Sequence, residues 1–172
     1  MSCLGVCFAL EEGMVDKLKS VKRAELVGLI KEEIETDFFE NKRELMAEFG
    51  KSWYAIQLAF SGNCNDLRSK KCESPLSYLI CGSQVLYGDK EDEEGYIVTL
   101  KTPQEVRDIY NALTVLTESA FKEKYHAIDE KVYDYSLSEE DFEYTWGWLM
   151  ESIPFWQTAS ENGLYVIFTA DQ

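Results

Sequence analysis

The stretch that decides the fold is SEEDFEYTWGWLMESIPFWQTAS, from Ser138 to Ser160. Ser138 suits a helix cap, Asp141 stands three residues on, and Leu137 can staple against Phe142. At about 100° per residue, Phe142, Trp146, Leu149, Met150, Ile153 and Trp156 share one face. Tyr144, Trp148 and Phe155 fall together on the opposite face, and Glu143, Gly147 and Glu151 mark a flank between the two. A surface helix needs one apolar stripe, and this one carries two. Either the helix is central and both faces are core, or the first face is core and the second lines a groove or partner surface. Tyr and Trp suit the second role because they join apolar area to a polar tip. Pro154 cannot donate to the carbonyl of Met150, so a kink is expected. The reading is one helical rod that organises the interior.

Outward from it, Asn162-Gly163 ends the rod, and Leu164 to Thr169 reads as an apolar closing strand. Upstream, Thr102-Pro103-Gln104-Glu105 is the clearest helix start in the chain: a cap, a proline in the first turn and a glutamate able to reach back. Val106, Ile109, Tyr110, Leu113 and Leu116 follow as one stripe, and a second start falls at Thr117. Gln84 to Tyr87 and Tyr96 to Leu100 read as a hairpin around a charged tip, Asp89 to Glu94. Ser74-Pro75 opens a short helix that stops at Gly82, after a polar, locally basic loop with Arg68, Lys70 and Lys71. Lys51 to Phe60 is a helix closed by Gly62, and Asn41 to Phe49 reads as a short helix ended by Gly50. Ala24 to Phe39 and Glu11 to Lys19 are helical, and Cys3 to Leu10 is a first strand. The sum is α+β: one compact domain over residues 1–172, with about four strands in a mixed sheet packed by several helices.

Composition bounds the rest. The 172 residues are 45% apolar, enough for a packed interior. Met1 to Gly13 has no positively charged region ahead of its apolar run, and no apolar stretch reaches membrane-spanning length, so the expected location is cytoplasmic. Five cysteines without a C-x-x-C, and a single histidine, His126, argue against both a disulfide framework and a zinc site. From Tyr125 onward, ten Asp or Glu face one base, Lys131, so this stretch carries −9 of a net −15. Such a surface repels nucleic acid and anionic lipid, and it fits either simple solubility or a basic protein partner.

With the elements placed, the motifs resemble the YfbM-like family of uncharacterised bacterial proteins. The resemblance rests on the short N-terminal strand, Lys51 to Gly62 with its Lys-x-Trp start, Pro75-Leu76-Ser77, Gly82, the Tyr96 strand, Leu100-Lys101-Thr102-Pro103, the aromatic last helix and Gly163. It spans nearly the whole chain. The resemblance implies a compact α+β domain of bacterial type and no known activity. The family often has histidine where this chain has Gln57, so an acid–base role is not expected there.

The residues themselves contain no phosphate-binding glycine motif. They offer His126 as the only partner for a nucleophile, and no one pair of carboxylates stands out among 32 Asp and Glu. The Asp89 to Glu94 loop lacks calcium-loop spacing. No cofactor or metal is expected, and catalytic residues are unknown. The candidate binding set is Tyr144, Trp148, Phe155, Lys51 and Trp53. Trp53 reads first as the anchor of its helix, and Lys51 as exposed or paired with an acid. The preferred function is a non-catalytic binding protein that neutralises a basic partner such as a toxin. The alternative is an enzyme using carboxylates in an aromatic-lined pocket on a small molecule.

Overall fold

The computed structural model describes residues 4–64, 74–88, 95–133 and 135–171. The expectations for Cys3, Cys72, the Arg68–Lys71 basic stretch and the Asp89–Glu94 loop lie outside those residues. Five strands, β1 (Gly5–Leu10), β2 (Met46–Gly50), β3 (Gln84–Tyr87), β4 (Tyr96–Lys101) and β5 (Tyr165–Asp171), form one sheet in the order β2-β1-β5-β4-β3. Every pairing is antiparallel, where a mixed sheet was expected. The α+β class stands.

The fifth strand is β2. Asn41 to Phe49 was read as a helix because Leu45, Met46 and Phe49 fit helical spacing. The chain instead makes one 3-10 turn at Arg43–Leu45 and then extends. Ala47 and Phe49 join one apolar cluster and Met46 the other, the period of two that a strand imposes. Pairing with β1, Phe8 opposite Met46 and Cys7 opposite Ala47, decides between the two patterns.

Both faces of the sheet are covered. Phe8, Leu10, Val98, Leu100 and Ile167 pack under α1 (Glu12–Ser20), α2 (Arg23–Leu29), a π-helical turn (Ile30–Glu35) and α3 (Thr36–Asn41). Cys7, Ala9, Ile97, Val166 and Phe168 pack under α4 (Trp53–Ser61), α5 (Tyr78–Cys81), α6 (Pro103–Thr114), α7 (Glu118–His126), α8 (Glu139–Glu151) and α9 (Ile153–Glu161). Burial on both faces explains why β4 is buried at every residue. The helix starts follow their sequence signals. Thr102 and Glu105 form the full capping box, and Thr117, Ser138 and Ser74 each accept a backbone N–H.

The rod from Ser138 to Ser160 is two helices. Pro154 has no N–H to continue the ladder, so the chain ends α8 at Ser152, whose hydroxyl donates to the carbonyl of Leu149 at 2.7 Å. A second helix, α9, then starts with the proline in its first turn, where a missing donor costs nothing. The break changes which residues share a face, and Phe155 is the residue it moves.

Candidate functional site

The site grows from the end of β2. Gly50 has φ +53, and a Cβ there would lie 2.5 Å from the Tyr144 hydroxyl oxygen and 3.4 Å from the Trp148 ring nitrogen. Only glycine lets α8 approach this closely. Tyr144 and Trp148, one turn apart on α8, meet edge to face at 6.1 Å. The Tyr144 hydroxyl accepts the backbone N–H of Lys51 at 3.4 Å, and its ring remains 44% exposed. Lys51 is itself exposed. Trp53, two residues on, is buried, with its ring 5.5 Å from Phe168 of β5.

Four of the five candidate residues therefore gather at one corner: Lys51, Tyr144 and Trp148 at the surface, and Trp53 as the anchor beneath. Phe155 is corrected. The break at Ser152 turns it into the core at 5% exposure, edge to face with Trp156 at 5.2 Å. It lines no surface.

A groove of about 200 Å³ continues from Trp148. Its walls are Met46, Ala47 and Glu48 of β2 and Trp148, Glu151 and Ser152 from the end of α8. Arg43 reaches in from the 3-10 turn, with its guanidinium 3.3 Å from the Glu48 carboxylate and 5.6 Å from the centre of the Phe39 ring. Glu139, Glu140, Glu143 and Glu151 stand exposed along α8.

A family model described as a domain of unknown function, DUF1877, matches residues 1–169. The chain belongs to the DUF1877 family. Among solved structures, it is similar to YfbM from Escherichia coli, a protein of unknown function, with a TM-score of 0.65 and 13% identity over 97% of this chain and 99% of that one. The likeness bears out the YfbM-like fold and, at that identity, speaks for the fold alone. No match is found among the curated proteins.

Elsewhere in this DUF1877 chain, sequence reasoning missed two polar clusters, one buried and one part-buried. Lys101 is fully buried at the end of β4, and its Nζ donates to the Ile80 carbonyl at 2.8 Å and the Thr99 hydroxyl at 3.0 Å. Burial lowers its pKa from the ordinary 10.5. Cys7 lies in the same field, and burial pushes its thiol up to about 12, which leaves it a poor nucleophile at neutral pH. Lys101 was visible only as part of Leu100-Lys101-Thr102-Pro103, where a lysine at a strand end reads as exposed.

The second cluster is Asp141. Read as a capping residue, it gives its N–H to the Ser138 hydroxyl at 3.1 Å, while its carboxylate accepts from Tyr125 at 2.6 Å and Tyr133 at 2.9 Å. Burial and then the Asp141 charge raise both phenols above their ordinary range. His126 is exposed, with its ring against Tyr125 and Phe142, while Cys7 and Cys81 are buried. Gln57 is buried and donates to the Cys64 carbonyl at 3.4 Å. Among the described residues, no group of three or more His, Cys, Asp or Glu is placed to hold a metal, and no helix is long and apolar enough to cross a membrane.

Proposed function

We propose that this chain is a non-catalytic cytoplasmic binding protein whose acidic, aromatic corner at the end of β2 receives a basic protein. Neutralising a toxin is its most concrete form. The observation that carries this reading is Tyr144: its ring is 44% exposed yet held over Trp148, with its hydroxyl tied to the Lys51 N–H. An aromatic fixed before binding loses little freedom on contact, and Tyr and Trp are the residues that most often carry interface energy. The carboxylates along α8 supply long-range attraction, which speeds encounter with a cationic partner and fades with salt.

The test is retention of proteins from the native host on the immobilised chain, at low and high salt, beside the Tyr144→Ala and Trp148→Ala variants. A basic protein held at low salt, released at high salt and lost from both variants is expected. Equal retention by the variants, or no basic protein at low salt, overturns the reading. An enzyme acting on a small molecule draws support from Glu48 and Glu151 lining one groove with Trp148. Against it, the groove is open, and Glu48 already has Arg43 as its partner.

A further inference from the structure

We infer that the partner contributes an extended, lysine- or arginine-bearing segment that adds to the sheet as a further strand alongside Met46–Glu48 of β2. The inference rests on the basic-partner reading above and names the element that would occupy the site.

Among the described residues, β2 ends the strand order and pairs only with β1. A strand paired on one side turns alternate N–H and C=O groups outward, a template for another chain. Both ends of β2 have engaged backbone, and at the start the Met46 N–H donates to the Arg43 carbonyl. Beyond Glu48 the backbone is engaged: the Phe49 carbonyl accepts from the Ser52 N–H at 3.0 Å and from the Ser52 hydroxyl at 2.6 Å, and the Lys51 N–H goes to Tyr144. The register irregularity also falls at this end, opposite Gly5 and Val6. Met46, Ala47 and Glu48 keep regular register with Phe8, Cys7 and Val6, and these three residues line the groove.

The opposite edge, β3, lacks this combination, because its irregularity interrupts the strand between Val85 and Tyr87. Bulges of that kind blunt an edge.

Charge selects the occupant. Beside Met46–Glu48 the groove presents Glu48 and Glu151 and the Trp148 ring, a setting for a long cationic side chain whose stem lies on the ring. Arg43 also lines the groove and already pairs with Glu48 at 3.3 Å, so an incoming cation meets the carboxylate of Glu151. A second copy is the disfavoured occupant. Edge-to-edge pairing would set two chains of net charge −15 together at their acidic grooves.

The test uses the whole chain and three synthetic octapeptides: alternating Lys-Val, the same peptide N-methylated at every second residue, and alternating Glu-Val. Binding is followed by peptide fluorescence anisotropy and by hydrogen exchange of the amides in Met46–Gly50. The expected result is Lys-Val binding that slows exchange across β2, at least about tenfold weaker binding after N-methylation, and no Glu-Val binding. Equal affinity of the methylated peptide, with exchange in β2 unchanged, overturns strand addition. In that outcome the basic-partner reading still stands, because cationic peptide is bound through side chains. Failure of the Lys-Val peptide to bind, Glu-Val binding, or self-association that slows exchange in β2 also overturns the inference.

Discussion

The two faces of the sheet come from the same strands and are filled with different chemistry. Under α1 to α3, the cluster around Phe8, Ile30, Ile34, Val98 and Ile167 is a hydrocarbon interior. Under α4 to α9, the fully packed core also takes in Lys101, Thr99, Ser77, Gln57, Ser52 and Ser152, each a hydrogen-bond donor to a backbone carbonyl. The exposed Tyr144 and the half-buried Trp148 of the candidate corner both belong to a helix of this second face. The difference teaches that the first side is held mainly by packing, with one polar tie where Glu35 accepts from Tyr96 and Thr169. On the other side, Thr99 and Lys101 of β4 also donate to the Ile80 carbonyl of α5, and the Lys51 N–H just past β2 donates to Tyr144 of α8.

Four expectations sharpen or break that contrast. The largest effect belongs to the hydrocarbon face. Phe8 is fully buried and meets Phe38 edge to face at 5.5 Å, so Phe8→Ala should cost about 3–5 kcal/mol in urea unfolding. A loss near zero would show that this face is not a specific core.

Next is Lys101. Lys101→Ala opens a cavity and should cost about 2–5 kcal/mol. Lys101→Met keeps the stem volume, and the Thr99 hydroxyl still donates to Ile80, so its cost should stay within about 1.5 kcal/mol. The pH dependence has a definite sign. Between the lowered folded pKa and 10.5, the unfolded chain binds more protons than the folded one, so this group's contribution to stability rises with pH in that window. Wild type should therefore gain on Lys101→Met as pH rises toward 10.5, measured by paired urea titrations. A gap that narrows the other way would mean the amine is held charged.

Gly50→Ala should cost about 1–2 kcal/mol in the same unfolding experiment, because the position is left-handed and a Cβ would meet the Tyr144 oxygen at 2.5 Å. It should also weaken partner retention by displacing that ring. The smallest effect on stability is Tyr144→Ala, within about 0.5 kcal/mol, as for an exposed side chain. Together with lost binding, that would separate the corner's use from its structure.

Much of the architecture was legible from local signals. Thr102-Pro103-Gln104-Glu105, Thr117 and Ser138 start helices where they were read, because a cap needs only residues within three or four positions. The β3–β4 hairpin and the closing strand follow from short apolar runs beside turn residues. The misreadings have two causes. Leu45, Met46 and Phe49 satisfy a helical spacing, and Ala47 with Phe49 a strand spacing. Only β1, nearly forty residues earlier, selects the second. Phe155 was assigned to the exposed face by carrying one helical phase through Pro154, and the reset at Ser152 sends it inward.

The amino-acid order by itself determined where helices begin, which strands are apolar, that the chain is acidic, and that Tyr144 and Trp148 share a helix face, since each depends on composition or on neighbours within a turn or two. Tertiary structure alone decided that β2 is an edge strand, that Lys101 is buried, and that Lys51 meets Tyr144 across 93 positions. Those outcomes are long-range pairings, and no local preference encodes which distant segment will supply a partner.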